Sequence, residues 1–256
     1  MNPAVIRSAS HRATNEVIFG SIKPLIKPGV KILDFGAGQG HMAQRIGEEA
    51  AGKGIAPGEC IYPCEVAPEE FLYEKVRCQK INTDSIIPFA DDFFDVVYAI
   101  EVLEHTPRPY DFIKEARRVL RPGGLIMISV PNLMHVLSRF GLFFNGFASL
   151  FPPPSKLTAN AGRICGHIMP LSYPYFHYGL TKEGFGEISF HADRKKKGCL
   201  FWTFLLWPAF RVSSFLYLKN LRKYDRDVWA ENRQLVPVMN SIDMLSSRSL
   251  IVQAIK

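Results

Sequence analysis

The chain has 256 residues, of which 47% are hydrophobic and 21% are charged; this length and composition exclude a disordered polypeptide and allow one sizeable α/β core with a small cap. The formal charge of +7 leaves three kinds of anionic partner open, namely nucleic acid, an anionic membrane surface and an anionic substrate. The five cysteines match neither a zinc-binding spacing nor a dense disulfide framework, and the first residues lack the apolar core of a signal peptide, so we expect a cytoplasmic protein.

Strands and helices alternate through the first half of the chain. Short apolar runs predict buried strands, whereas apolar residues at helical spacing predict amphipathic helices. The predicted strands are 30–35, 58–66, 94–100 and 125–130, and the predicted helices are 40–50, 67–77 and 109–120. Alternation of this kind indicates a parallel sheet that is covered by helices on both faces and binds its ligand at the carboxyl ends of the strands.

The second half of the chain is less regular. The segment 133–176 is rich in Phe, Gly and Pro, and we interpret it as a lid over the sheet. Helical character resumes at 181–188 from an N-cap at Thr181, and 249–255 is a final strand. We therefore expect one domain over 1–256, with a core of about 25–132, 177–192 and 248–256 and an apolar, basic insertion of about 193–247.

The stretch "KILDFGAGQGHM", 31–42, carries the first chemical signal, because Gly36, Gly38 and Gly40 alternate directly after a predicted strand. A glycine turn between a strand and a helix lets a cofactor approach backbone N–H groups at the helix N-terminus. A dinucleotide-binding loop would need its third glycine where His41 stands, and the lysine of a phosphate-binding loop is absent. A purely structural glycine turn is the alternative.

The loop is followed in order by "CEVAPEEF", "INTDSIIPFADDFFDVVYAIEVLEH" and "RVLRPGGLIMISVPN". This ordered set resembles the class I S-adenosylmethionine-dependent methyltransferases over roughly 30–132, with weaker echoes at 177–188 and 249–255. It looks most similar to the branch that contains ubiquinone-pathway O-methyltransferases and many glycan-cluster methyltransferases. The resemblance implies an α/β fold with a doubly wound, mostly parallel seven-stranded sheet, and S-adenosyl-L-methionine as the cofactor.

The resemblance also implies a cofactor-binding set. An acid suits the ammonium group of the methionyl part, and bare glycine backbone allows close approach to it. Glu65 would accept hydrogen bonds from the ribose hydroxyls. Glu69 or Glu70 could take this role instead, because a long link precedes the second strand. The alternative for Glu65 and Asp84 is that each is an ordinary solvated acid without a role in binding. The set is Asp34, Gly36, Ala37, Gly38 and Gly40 at the loop, Glu65 at the ribose, Asp84 and the Ser85 backbone at the adenine, and Ile100 under the sulfonium.

Methyl transfer from a sulfonium is an in-line displacement, so the protein mainly aligns the acceptor with the methyl group and excludes water. A hydroxyl acceptor must also lose a proton. We predict that His105, directly after the fourth strand, is the general base, because imidazole is suited to proton transfer near neutral pH. The alternative is that His105 only caps or braces its loop.

A metal site is a second interpretation of the same stretch. Glu101, Glu104 and His105 form an E-x-x-E-H set, which His177 could approach from the lid. A similar-looking set in small-RNA 3′-terminal 2′-O-methyltransferases binds a divalent metal, and carboxylates with imidazoles are reasonable ligands. Because the motif is widespread in this superfamily, where its acids can satisfy loop backbone, we assign no metal to the predicted site.

The expected activity is methyl transfer from S-adenosylmethionine, with a small, glycan or lipid-linked acceptor as the leading substrate class. A nucleic-acid methyltransferase is the first rival; the basic charge would suit it, but no module that combines stacking and basic residues is evident. The second rival is a catalytically silent cofactor-binding or scaffold protein of the same fold. The intact Asp34, Gly36, Gly38 and Glu65 argue against that rival.

The apolar run Gly198–Leu218 inside the insertion is nearly long enough to cross a bilayer. One crossing would leave the final strand on the far side of the membrane, and Pro208 and Arg211 interrupt the run. Three interpretations remain: a helix buried against the lid or a dimer partner, a segment that lies on or shallowly re-enters an anionic membrane, and a true span. Basic clusters on both sides of the run, and Trp202 and Trp207 within it, suit the second interpretation.

Overall fold

The computed structural model describes residues 6–82, 86–153 and 166–256. A seven-stranded sheet has the order β3-β2-β1-β4-β5-β7-β6, in which β7 alone runs antiparallel to its neighbours. The strands are β1 Ile32–Phe35, β2 Ile61–Glu65, β3 Gln79–Lys80, β4 Phe94–Ile100, β5 Leu120–Pro131, β6 Gly186–Ala192 and β7 Ser249–Ile255. The predicted doubly wound, mostly parallel sheet is therefore confirmed.

The helices cover both faces of the sheet. They are α1 Arg12–Ile22, α2 His41–Gly52, α3 Pro57–Cys60, α4 Pro109–Val119, α5 Val136–Asn145, α6 Tyr173–Lys182, α7 Lys197–Tyr224, α8 Arg226–Asn232, α9 Leu235–Met239 and α10 Ile242–Ser246. Alternate residues of β4 enter two separate hydrophobic clusters, Val96 and Tyr98 with α1 and α2, and Val97 and Ala99 with α4 and α6. The period of two in a strand thus divides the core between the two faces.

The predicted helix over 67–77 is wrong. One 3₁₀ turn spans Pro68–Glu70, and no helix follows it before β3. The apolar residues of this segment pack on the glycine loop instead: the Leu72 N–H donates to the carbonyl of Gln39 at 3.1 Å, and the Phe71 ring lies against Gly40. These tertiary contacts override a helical spacing that is only a weak preference by itself.

The predicted helix over 181–188 is also wrong. Helix α6 ends at Lys182, and the chain enters β6 at Gly186. Gly184 has a φ of 79° and donates its N–H to the carbonyl of Thr181, which closes the helix. Thr181 therefore stands in the last turn of a helix and not at the start of one.

The insertion is mostly helical, and the described part of the lid contains two helical segments. The lid segment 133–176 contains α5 and the start of α6, and the insertion 193–247 contains α7 to α10. Helix α7 runs over 28 residues with Pro208 inside it, and only Cys199 and Thr203 are fully buried. Within the described ranges, α7 is the one helix whose length and apolar composition would allow it to cross a membrane.

Candidate cofactor and active site

The glycine loop connects the carboxyl end of β1 to the start of α2. Gly36, Gly38 and Gly40 have φ angles of 78°, 52° and 91°, in the left-handed region that favours glycine. The N–H groups of Gly36 and Ala37 donate to the carbonyl of Cys64 at 2.9 and 3.0 Å, which fixes the loop against β2. The sequence of the loop therefore forms a rigid turn that leaves backbone at the carboxyl edge of the sheet.

The three glycines differ in what surrounds them. A Cβ added at Gly36 would come within 2.4 Å of the Val102 side chain, and one at Gly40 would come within 2.7 Å of the Phe71 ring. An added Cβ at Gly38 would meet no atom within 4 Å. Gly36 and Gly40 are thus needed for packing, whereas Gly38 faces open space.

That open space is a cavity of about 280 Å³, near the lower end of the range for small-molecule sites. It lies where β1 and β4 end and α2 begins, as the sequence predicts. Its lining consists of Arg7, Ser8, Ala9, Ser10, Asp34, Gly36, Ala37, Gly38, Gln39, His41, Met42, Glu70 and Ile100. Of the predicted cofactor-binding residues, Asp34, Gly36, Ala37, Gly38 and Ile100 line this cavity, whereas Gly40 and Glu65 do not.

Asp34 is the main charged group of the cavity floor. Its side chain is buried, and its Oδ2 has no hydrogen-bond partner among the described residues. Burial raises the pKa of Asp34 to about 7; the hydroxyl of Tyr98 acts against this shift, and the nearby charge of Glu65 adds to it. A buried carboxylate oxygen without a partner is suited to accept a hydrogen bond from a cationic group such as the ammonium of the cofactor.

Glu65 has a bracing role that its sequence position does not reveal. At the end of β2, its Oε2 accepts the N–H of Gly38 at 2.8 Å and its Oε1 accepts the N–H of Val66 at 2.7 Å. Glu65 therefore braces the glycine loop and does not line the cavity. Glu70, of the 3₁₀ turn after β2, does line it. Asp84 and Ser85 lie outside the described residues.

The N-terminal segment is a part of the site that sequence reasoning missed. Arg7, Ser8, Ala9 and Ser10 line the cavity, and the Arg7 N–H donates to Oε1 of Gln39 in the glycine loop at 3.1 Å. Ser10 is fixed in turn by its hydroxyl, which donates to Oδ1 of Asn15 in α1 at 2.7 Å. The segment has no periodicity or motif, so no sequence signal could have placed it over the loop.

His105 lies in a 3₁₀ turn, Leu103–His105, after the carboxyl end of β4. Its ring is 4.9 Å from the ring of His167, centroid to centroid. Ligand atoms of Glu104, His105 and His167 all lie within 4.8 Å of one another. One carboxylate and two imidazoles at this separation are suited to proton transfer or to binding a divalent cation.

Glu104 is the most constrained member of this group. It is fully buried, and neither of its carboxyl oxygens has a hydrogen-bond partner within the described part of the chain. Burial raises the pKa of Glu104 well above its ordinary value, and the negative charge of Glu101 adds to the effect. The Nε2 of His167 is 4.0 Å from its Oε1.

The structure changes the predicted four-residue set. His177 lies on α6, where its ring contacts Tyr173 and its Nδ1 is 3.5 Å from the Thr181 hydroxyl, and it does not belong to the group around Glu104. His167 takes that place. Glu101 is also separate, since its carboxylate pairs with Arg248 at 3.6 Å, beside the start of β7.

Comparison with known proteins agrees with this geometry. A family described as methyltransferase domain matches residues 33–128, which covers the glycine loop, the end of β4 and His105. A sterol 24-C-methyltransferase (ERG6B) of Gibberella zeae is 38% identical over 105 residues, which are 39% of this chain and 27% of that protein. A ubiquinone biosynthesis O-methyltransferase of Pseudomonas aeruginosa is 33% identical over 41% of this chain and 45% of its own length.

A 27-O-demethylrifamycin SV methyltransferase of Amycolatopsis mediterranei is 27% identical over 63% of this chain and 53% of that protein. The chain thus spans between about a quarter and about half the length of these curated relatives.

Solved structures share the whole fold. A SAM-dependent methyltransferase of Archaeoglobus fulgidus superposes with a TM-score of 0.54 over 94% of both chains at 14% identity. The [4+2]-cyclase SpnF superposes with a TM-score of 0.51 over 99% of this chain and 84% of its own at 18% identity. Such identities show the fold alone. The fold, the glycine loop and the matched domain over 33–128 together support a class I S-adenosylmethionine-dependent methyltransferase domain in this chain.

Proposed function

We propose that the protein transfers the methyl group of S-adenosylmethionine to a hydroxyl group of a small, glycan or lipid-linked acceptor. The observation that carries this proposal is the pairing of Gly38 with Asp34. Gly38 presents bare backbone to a cavity at the carboxyl edge of the sheet, and the same cavity is lined by Asp34, whose buried Oδ2 has no hydrogen-bond partner among the described residues.

The residues of the cavity suit the two ends of the cofactor. Asp34 would attract the ammonium group, and the backbone of Gly36 to Gly38 would lie along the methionyl part. Glu70 lines the cavity and Glu65 lies beside it, so the two acids are the candidates for the ribose hydroxyls. The bound cofactor supplies an activated methyl group; the chain has to orient the acceptor and keep water out, which contributes about 7–11 kcal/mol in well-aligned reactions.

A hydroxyl acceptor needs a base near the carboxyl end of β4. His105 stands at that position, and Glu104 and His167 surround it. Proton removal by such a group typically contributes about 10²–10⁴-fold. Relatives named for sterol methylation and for O-methylation in ubiquinone biosynthesis support a small or lipid-like acceptor.

Label transfer tests the proposal directly. Purified protein is incubated with methyl-labelled cofactor and a cell extract, and the products are separated into lipid, polysaccharide, nucleic-acid and small-molecule fractions. We expect label in a lipid, polysaccharide or small-molecule fraction, in a product that survives base treatment and that mass spectrometry identifies as a methyl ether.

Two other results would overturn it. Label in nucleic acid would support a nucleic-acid methyltransferase. Cofactor binding without label in any fraction would support a silent binding protein, and the cyclase among the structural neighbours shows that this fold is not confined to proteins named for methyl transfer.

A further inference from the structure

Helix α7 carries a long apolar surface that the rest of the chain does not cover. Phe201, Phe204 and Leu205 are 64%, 61% and 58% exposed, and Phe215 and Leu216, about three to four turns later, are 66% and 51% exposed. Soluble proteins rarely expose a contiguous apolar patch of this extent. The interpretation of α7 as a helix buried within the chain therefore does not fit the structure.

Helix α5 extends the same surface. Phe143 and Phe144, at its end, are 82% and 78% exposed. Ring contacts run from Phe143 through Phe144 and Phe140 to Trp202 of α7, with 5.3 Å between the centroids of Phe140 and Trp202. The two helices thus form one apolar face, which we define by Phe143, Phe144, Phe201, Phe204, Leu205 and Phe215.

The apolar face begins at the edge of the sheet that holds the cofactor cavity. Strands β5 and β6 both run antiparallel to β7, so they point in the same direction as β1 and β4. Helix α5 follows the carboxyl end of β5, and α7 follows the carboxyl end of β6. Buried His135 joins the two helix starts, with its Nε2 3.3 Å from Lys196 Nζ and its Nδ1 3.6 Å from Cys199 Sγ.

The opposite side of α7 contacts other elements of the chain, and these contacts fix the orientation of the helix. The Ser214 hydroxyl accepts the Asn240 side-chain N–H at 2.8 Å, and the Arg139 guanidinium lies 5.4 Å from the centre of the Phe210 ring. Lys196 donates its N–H to the carbonyl of Ser246 just before β7. Helix α7 is therefore attached along its length, with one face outward.

The chain after α7 rules out a crossing. Helix α8 returns beside α7 with Asp225 as its N-cap and with charged residues at four further positions, Arg226, Asp227, Glu231 and Arg233. Charges of this density are not accepted in a hydrocarbon core, and β7 must rejoin the same sheet. A helix with these constraints can lie in the plane of a membrane surface but cannot span it.

The charged residues of α7 indicate which kind of membrane the helix would bind. From Lys197 to Tyr224 the helix has no Asp or Glu, and its charged residues are Lys197, Arg211, Lys219, Arg222 and Lys223. All five are exposed. Trp202 lies at the margin of the face, where an indole ring suits the boundary between headgroups and acyl chains. An apolar face with a cationic border matches a bilayer that contains anionic lipids.

We propose that the apolar face of α5 and α7 binds the surface of an anionic membrane, with α7 parallel to the bilayer. If the proposed function also holds, the cofactor edge of the sheet then faces the lipid surface and receives an acceptor that resides there. The membrane contact itself does not depend on turnover.

Sedimentation with lipid vesicles tests the proposal on the full chain. The probes are phosphatidylcholine vesicles with and without phosphatidylglycerol. We expect the protein to sediment with the anionic vesicles at low salt, less at high salt, and weakly with pure phosphatidylcholine, because surface charges are screened by salt whereas apolar contact is not.

The substitutions Phe204→Ser and Leu205→Ser isolate the apolar contribution. Both side chains are more than half exposed, so the fold should survive, whereas deletion of 198–218 would remove the buried Cys199 and Thr203. We expect each substitution to lower the vesicle partition coefficient by about tenfold or more. Tyr178→Ser is the matched control, because Tyr178 is 59% exposed but lies on α6, outside the apolar face.

A fluorescence measurement reports the depth of α7. In a protein that carries Trp207→Phe and Trp229→Phe, Trp202 is the remaining tryptophan. We expect its emission to shift to shorter wavelength with anionic vesicles and to be quenched by lipids with brominated acyl chains. Quenching by aqueous iodide alone would place the helix outside the bilayer and overturn the proposal.

Three further results would also overturn it. Retained vesicle binding by the Phe204→Ser and Leu205→Ser proteins would make the contact purely electrostatic. A stable dimer in analytical ultracentrifugation, with no vesicle binding, would assign the face to a second copy of the chain. Equal sedimentation with and without vesicles, from a folded monomer, would leave the face without a membrane role. Calorimetry of cofactor binding, which the surface substitutions should not change, separates each of these failures from a failure of the proposed function.

Discussion

Gly38 is the residue at which the cofactor assignment is most directly testable. Its Cβ position opens into the cavity, so the side chain introduced by Gly38→Val would occupy the volume of the ligand without a clash inside the protein. We expect the fold to survive and cofactor binding to be lost in calorimetry with S-adenosylmethionine.

Gly54→Val is the matched control for that substitution. Gly54 also has a positive φ, 76°, and no atom within 4 Å of an added Cβ, but it lies in the turn after α2 and outside the cavity. Both substitutions incur a similar backbone strain of about 1–2 kcal/mol. Equal cofactor affinity in the two folded proteins would place the ligand elsewhere.

Asp34 should make cofactor binding depend on pH. Burial raises its pKa from 3.8 to about 7, so the ligand-free protein holds a proton on this group below neutral pH. The ammonium group of S-adenosylhomocysteine favours the ionised form, and binding must then release that proton. We expect the affinity to weaken as the pH falls below about 7, and titrations in buffers of different ionisation enthalpy to detect proton release near pH 6.

The same shift sets the sign of an effect on stability. The pKa of Asp34 is 3.8 in the unfolded chain and about 7 in the native protein. The stability that this difference contributes is fully present below pH 3.8, where both states are protonated, and is lost as the pH rises from 3.8 through about 7. The free energy of unfolding of the ligand-free protein should therefore decrease over this range, and Asp34→Asn should flatten the decrease. An Asp34→Asn protein with the same pH profiles as the wild type would assign the proton to another group.

His105 is the candidate base, and its removal separates catalysis from binding. If His105 accepts the proton of the acceptor hydroxyl, His105→Ala should lower kcat by about 10²-fold or more and leave cofactor affinity nearly unchanged. A loss of less than about threefold would reduce His105 to a loop brace. Loss of wild-type activity on addition of a chelator, with recovery on addition of a divalent cation, would instead assign Glu104, His105 and His167 to a metal.

At the scale of the element, the link 67–77 shows how a loop replaces an expected helix. Phe71 lies on Gly40, and Tyr73 is buried with its hydroxyl close to Gly47 of α2, where a Cβ would come within 2.5 Å of it. The link therefore packs on α2 and on the glycine loop through Tyr73 and Phe71, while Glu65 braces the same loop through the N–H of Gly38. A free helix over 67–77 could not make both contacts.

Gly40→Ala tests this packing. The substitution combines a φ of 91° with an approach to the Phe71 ring, so we expect the free energy of unfolding to fall by about 2–4 kcal/mol in urea denaturation. In a double-mutant cycle, Phe71→Ala should remove part of the penalty of Gly40→Ala, because only the steric portion depends on the ring. Strict additivity of the two substitutions would show that the ring does not press on the loop.

At the scale of the whole molecule, the carboxyl edge of the sheet gathers the functional features. The glycine loop, the turn that carries His105, and the starts of α5 and α7 all leave strands that point the same way. A crossover through the lid and α6 connects β5 to β6, so the two strands run in the same direction, and the antiparallel β7 lies between them. The proposed membrane contact and the cofactor cavity consequently share one edge.

Much of the sheet could be predicted from the sequence. The predicted strand 94–100 coincides with β4, 249–255 coincides with β7, and the predicted helix 109–120 differs from α4 by one residue. Buried parallel strands appear as short apolar runs, and an amphipathic helix repeats its apolar residues along the chain, so the information is local. The glycine loop is equally local, because strand, turn and helix follow one another within 31–42.

The tertiary structure decided the rest, because the decisive contacts join residues that are far apart in the chain. His167 replaces His177 beside Glu104, Arg7 reaches Gln39, and Glu65 accepts the N–H of Gly38. The exposure of α7 is of the same kind, because its sequence is compatible both with a buried helix and with a helix on a membrane surface. Only its attachment through Ser214 and Lys196, beside the returning α8, leaves its apolar side facing outward.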